Sequence, residues 1–343
     1  MYQNSAKILL IYTGGTIGMI KDFETGALKA FNFDDLLANI PELKLLEHQI
    51  ETYSFENPID SSDMNVGYYR KLAEIIEGAY TKFDGFVVLH GSDTMSYTAS
   101  ALSFMLENLN KPIIFTGSQL PIGDLRTDAK ENLITSIQLA GLRKANKSVI
   151  TEVGLYFEYK LYRANRTTKI NAEHFQAFAS LNYPALAESG VNLTINKPKL
   201  KQANYKKDLI VHKELDENVL VIKIFPGLHP KTLAYLLDAP HIKAVILETY
   251  GAGNAFSEDW FIRLLSDHIA RGLKIINVTQ CIGGSVNMGL YATSTRLEKI
   301  GVISGKDITT EAAVAKAMYL LGKNLSPTVF KTIFETAIRG EMM

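Results

Sequence analysis

Five short stretches carry side chains that can do chemistry: TGGT at 13–16, DSSD at 60–63, HGSDT at 90–94, TGSQ at 116–119 and RTTK at 166–169. Together they offer hydroxyls, carboxylates and a lysine beside conformationally free glycines. A hydroxyl attacks a carbonyl only when one group removes its proton and others stabilise the developing oxyanion. The threonines of TGGT and Ser92 are candidate nucleophiles or proton relays. Asp93 can bind an ammonium or orient a base, and Lys169 becomes a possible base if burial lowers its pKa.

Each stretch also has a plainer reading. Gly14, Gly15 and Gly18 give GGxxG, which is neither the dinucleotide fingerprint nor the Walker pattern, so a tight strand–helix turn competes with a ligand cradle. Ser92 and Asp93 stand where a helix cap would stand. DSSDM, 60–64, can be a turn and nothing more. Lysines are mostly solvated, so Lys169 matters only if a nucleophile and a carboxylate lie beside it. The seven histidines form no close pairs at metal spacing, and there is no GxSxG elbow. No metal and no cofactor is expected. Cys281 rules out an intrachain disulfide and is either inert packing or a reactive thiol at a strand end.

The elements that must position these groups follow from the pattern. KILLIY (7–12), FDGFVVLH (83–90), KPIIF (111–115) and SVITEVGLYF (148–157) are short Ile/Val-rich runs, each leading towards a polar turn. Such runs read as buried parallel strands. Helical spacing covers 68–80 and 94–109, so strand and helix alternate. The expected fold is α/β: a larger N-terminal domain at 1–190 with a mostly parallel sheet flanked by helices, and a smaller C-terminal α/β domain at 217–343. The lysine-rich segment 191–216 reads as a solvated connector. In open α/β sheets ligands sit at the carboxyl ends of the strands. That edge would carry Thr13, Thr16, Ser92, Asp93, Thr94, Thr116 and Ser118.

Lys+Arg and Asp+Glu both total 36, so the charge balance recruits neither nucleic acid nor an anionic membrane. The N-terminus lacks a signal-peptide pattern, and no run approaches the ~18 apolar residues of a membrane span. A cytosolic protein with a small-molecule substrate is expected.

Taken together, TGGTIGM (13–19), DSSDM (60–64), HGSDTM (90–95), TGSQLP (116–121), NRTTK (165–169), YGAGN (250–254) and TQCIGGSVNMG (279–289) resemble the bacterial L-asparaginase family, most closely its cytosolic type I members. The resemblance covers nearly the whole chain. It implies hydrolysis of the side-chain amide of asparagine through a threonyl acyl-enzyme, with Thr16 as nucleophile. Ser92, Asp93 and Lys169 would manage protons and hold the substrate ammonium, while Asp60, Ser61 and Ser62 grip the α-carboxylate and α-amino group. It also implies a homodimer or homotetramer in which Asn254 reaches a partner's pocket. Ser92 stands where the family usually has threonine, and residues 20–32 lack the loop tyrosine usually found near the nucleophile. Some type I members carry a regulatory asparagine site, which here would involve Thr168, Glu248, Thr279, Gln280 and Cys281. Glu248 replaces an expected arginine and would repel the effector's carboxylate, so allosteric control is expected to be weak or absent. The alternatives are a glutaminase or other amidohydrolase, an amidotransferase component, or a non-catalytic amino-acid-binding module.

Overall fold

A computed structural model of the chain describes residues 5–21, 28–30, 40–289 and 292–343. Two compact units emerge, one running to Lys213 and the other starting at Glu214. The first is built on an eight-stranded sheet. In chain order its strands are β1 (Lys7–Gly14), β2 (Gln49–Ile59), β3 (Gly85–Leu89), β4 (Ile113–Thr116), β5 (Val153–Phe157), β6 (Lys160–Arg163), β7 (Ala187–Ser189) and β8 (Leu193–Ile195). Their spatial order is β8-β7-β6-β5-β4-β3-β1-β2.

The stretch from β2 to β5 is parallel, as the buried apolar runs predicted. Successive side chains of a strand point to opposite faces, and both faces are covered here. Ile8, Leu10, Val87 and Ile114 pack with Leu133 and Ile137 of helix α3 (Ala129–Gly141). Residues of the other parity, including Leu9, Phe86, Val88 and Phe115, are equally buried. On the way, the chain forms helices α1 (Val66–Ala79) and α2 (Met95–Met105), the latter packed against β4 and β5.

Beyond β5 the sheet turns antiparallel, which the expectation of a mostly parallel sheet did not specify. Glu158 and Tyr159, with φ of 43° and 69°, make a two-residue hairpin into β6. Strands β7 and β8 then extend the edge. Part of the presumed connector is therefore built into the first unit: β8 lies at 193–195, and Ile210–Val211 pairs with Leu106–Glu107. Short, half-exposed edge strands have no apolar run to betray them.

The second unit holds four parallel strands, β9 (Val219–Lys223), β10 (Ala244–Thr249), β11 (Lys274–Thr279) and β12 (Ile303–Ser304), in that order. Helices at Pro230–Leu237 and Asp259–Ala270 supply Leu233, Phe261 and Leu265 to its core. Lys316, fully buried, anchors the C-terminal segment by donating to the Phe334 and Thr336 carbonyls (2.8 and 2.7 Å) and to Glu341. No helix among the described residues is long and apolar enough to cross a membrane.

Candidate active site

The sheet order fixes where a site can form. From β1 the chain moves to β2 on one side, then returns to β3 on the other, so the carboxyl ends of β1 and β3 flank a topological switch point. TGGT follows β1 and HGSD follows β3. The two turns touch. Gly14 (φ 134°) and Gly15 (φ 88°) occupy backbone conformations closed to most side chains. A Cβ on Gly14 would strike the Ile59 backbone, and one on Gly15 would strike Gly91. Glycine here lets three strand ends close on one another, and it brings Gly15, the residue before Thr16, against Gly91.

Hydrogen bonding then sorts the hydroxyl-rich rim. Four of its seven members donate to backbone carbonyls: Thr13 to Leu89 (2.9 Å), Thr94 to Ser61 (2.6 Å), Thr116 to Tyr156 (2.9 Å) and Ser118 to Leu120 (2.6 Å). Those protons hold the frame. The other members of the rim are Thr16, half-buried at the start of the Thr16–Gly18 turn, and the Ser92–Asp93 pair.

Lys169 joins them. A short hairpin pairs Thr168–Lys169 with Phe178–Ala179. It delivers Nζ to 2.9 Å from Ser92 Oγ and 2.6 Å from Asp93 Oδ1. The side chain of Lys169 is 17% exposed and that of Asp93 66%. The helix-cap reading of Ser92 and Asp93 therefore gives way: their side chains meet a lysine 76 residues or more along the chain. Thr94, at the N-cap position of α2, makes no side-chain cap either.

The DSSD stretch continues directly from β2. Asp60 Oδ1 accepts from Ser62 N and Ser62 Oγ, both at 2.9 Å, and the Ser62 amide holds its carboxyl below the usual range. Ser61 is buried, with its hydroxyl beneath Gly91. Asp60 and Ser62 remain exposed beside the end of β1. Among the described residues no group of three or more His, Cys, Asp or Glu is placed to hold a metal ion.

Three comparisons with known proteins bear on this chain. The model for the N-terminal asparaginase domain matches residues 7–201, and that for the glutaminase/asparaginase C-terminal domain matches 218–334. L-asparaginase 1 of Escherichia coli strain K12 is 42% identical over 337 residues, spanning 98% of this chain and 97% of that protein. The chain belongs to the L-asparaginase family. L-asparaginase I from Vibrio cholerae shares its structure with a TM-score of 0.89 at 40% identity, covering 98% of this chain and 99% of that one. The thermostable L-asparaginase from Thermococcus kodakarensis does so with a TM-score of 0.88 at 30% identity, with the same coverage. Membership makes the chain an amidohydrolase.

Several groups of this asparaginase-family site were not evident from sequence. Gln119 accepts from Ser92 Oγ (3.2 Å), and Asp128 accepts from the Gln119 and Leu120 amides (3.0–3.2 Å). Asn132 donates to the Gly117 carbonyl at 3.0 Å. The spacing of an Asp and an Asn over one helical turn, DAKEN, was the available signal, and it reads equally as a helix start.

His90 lies under the Ser92 turn, fully buried, and burial pushes its pKa down to about 4. Its Nδ1 lies 2.7 Å from the Gly91 carbonyl, so the neutral ring carries its proton there. An unfolded histidine titrates near 6.5. Between those pH values the unfolded chain binds a proton that the folded one refuses, so stability falls as pH drops from 6.5 towards 4. The full loss is on the order of 3 kcal/mol. Urea midpoints at pH 7 and pH 4.5 should therefore separate more for the native chain than for His90→Asn. Equal separations would remove this role.

The expected effector residues divide between the units. Thr168 belongs to the Lys169 hairpin of the first. In the second, Glu248 accepts from Thr310 Oγ1 (2.7 Å) and lies 3.7 Å from Lys223 Nζ. Gln280 Nε2 straps the Ile224 and Glu248 carbonyls at 2.7 and 2.9 Å, and Thr279 Oγ1 accepts from the Cys281 amide. Cys281 is exposed, so inert core packing does not describe it. Asn254 closes a tight turn with Tyr250, its Oδ1 buried without a partner among the described residues. Of the tyrosine-free stretch 20–32, residues 22–27 and 31–32 lie outside the described residues.

Proposed function

We propose that the chain hydrolyses the side-chain amide of L-asparagine through an ester on Thr16. The carrying observation is the placement of Lys169 on Ser92 and Asp93, in the turn that touches Gly15. Thr16 Oγ would attack the amide carbon as its proton passes to the Ser92–Lys169 relay, and backbone amides of the glycine turn would stabilise the oxyanion. The tetrahedral adduct collapses when the leaving nitrogen takes a proton and departs as ammonia. Water then attacks the ester, releasing aspartate and restoring the threonine. Asp60, Ser62 and Asp93 would receive the zwitterionic end of the substrate. Asn254 from a second copy, in a homodimer or homotetramer, belongs to the same reading, as does a cytosolic location.

Ammonia release from asparagine and glutamine tests it. One methylene distinguishes the two and is worth ~1–3 kcal/mol, so kcat/KM should favour asparagine by roughly 10- to 200-fold. With Glu248 committed to Thr310 and Lys223, the rate should rise hyperbolically with asparagine. Preference for glutamine would establish the glutaminase alternative. Release from neither would leave a binding module.

A further inference from the structure

We infer that the second unit carries a binding site for a small oxyanion, a phosphate or a carboxylate, in a cavity of about 280 Å³ lined by Lys274. The cavity lies at the amino ends of β10 and β11, beside the last turns of the helices Pro230–Leu237 and Asp259–Ala270. Thr279, one of the expected effector residues, closes the other end of β11, about 17 Å along the strand. The two places are therefore opposite ends of one sheet.

Five polar side chains line this space: Asp238, Lys243, His268, Arg271 and Lys274. The fold accounts for four of them. Lys243 Nζ pairs with Asp216 Oδ2 at 2.7 Å, and the Asn218 amide donates to the same carboxylate at 3.0 Å. Arg271 Nη1 donates to Asp238 Oδ1 at 3.1 Å, and its Nε donates to the Asp267 carbonyl at 3.3 Å, at a helix end where a cation suits the dipole. His268 Nδ1 donates to the Leu264 carbonyl at 2.7 Å, and its Nε2 lies 3.0 Å from Asp238. Lys274 differs. Its Nζ makes no hydrogen bond or ion pair among the described residues.

Nothing in the strand itself calls for that lysine. Lys274 stands beside Ala244 at the start of β10, and its amide donates to the Lys243 carbonyl at 3.1 Å. Like charges on neighbouring strands destabilise each other. Burial, then the Lys243 ammonium, hold Lys274 below the usual lysine range. Asp216 answers Lys243 and Asp238 answers Arg271, so at least one positive charge stays in excess. An oxyanion on Lys274 supplies the missing partner through charge-assisted hydrogen bonds, with Lys243 and Arg271 on the same walls.

Isothermal titration calorimetry of the whole chain tests the site, with inorganic phosphate and succinate as probes and sodium chloride holding ionic strength constant. The native chain should bind at least one of them at a site that Lys274→Met loses, and the tighter probe names the class of ligand. Lys274→Met keeps the stem and removes the ammonium, so it should weaken this binding by roughly tenfold or more. Lys231→Met removes the same charge from the exposed start of the helix Pro230–Leu237, outside the cavity, and should leave binding unchanged. Thermal unfolding without ligand gives a second readout. Lys274→Met should unfold no earlier than the native chain, because it relieves the repulsion between two ammonium groups. Binding of neither probe at about 10 mM would overturn the site, and so would equal binding by the native chain and Lys274→Met. An equal loss in Lys231→Met, or earlier unfolding of Lys274→Met, would do the same.

Discussion

Thr16→Ala should eliminate ammonia release from asparagine, lowering kcat by on the order of 10⁴ or more, while thermal unfolding and assembly stay as in the native chain. On the proposed reading, the size of the effect follows from losing the hydroxyl that would form the ester. Preservation of the fold follows from how the turn is made. Its closing bond runs from Gly18 N to the Gly15 carbonyl at 3.2 Å, between backbone groups that alanine retains. Thr13 supplies the contrast. It is the other threonine of TGGT, yet its hydroxyl is buried and donates to the Leu89 carbonyl. Thr13→Val would strand that arrangement and should lower stability by about 1–3 kcal/mol, with turnover per folded molecule far less affected than in Thr16→Ala. Were the alanine at 16 to retain more than a few per cent of native turnover, the threonyl ester would have to be abandoned.

That contrast also marks where sequence reading reaches its limit. The strands ending at Gly14, Leu89 and Thr116 were legible because both faces are buried, which forces unbroken Ile, Val and Phe runs. Their convergence followed from the carboxyl-end rule. Which hydroxyl of each turn is spent on a backbone carbonyl and which is not was not legible. That depends on the pairing register, and Thr13 and Thr16 look alike until Leu89 is seen beside the former. Ser92 and Asp93 posed the same ambiguity, since a capped helix start and a catalytic turn use the same residue types. Gln119 and Asp128 stayed hidden because their partners lie on other strands and loops, and nothing in TGSQLP or TDAKEN encodes Ala172 or His174. The antiparallel strands at 187–195 were missed for want of apolar runs.

Lys169→Met is the second variant expected to lose most of its activity, with kcat down by roughly 10²- to 10⁴-fold and the fold intact. Methionine matches the lysine stem in reach, so the packing of a side chain that is 17% exposed should survive. The carboxylate left behind belongs to Asp93, which is 66% exposed and remains solvated, so losing the pair should cost stability no more than about 1 kcal/mol. A buried partner would have given the opposite outcome. Asp93→Asn separates the two duties of the pair: it keeps an oxygen within reach of Nζ but removes the charge that would hold the substrate's ammonium. Its KM should rise more than its kcat falls, whereas in Lys169→Met the loss should fall on kcat. Steady-state ammonia release from both variants, beside urea unfolding, decides the matter. A Lys169→Met variant that is folded and within tenfold of native kcat would mean that the proton of Thr16 leaves by another route, and the relay through Ser92 would have to be given up.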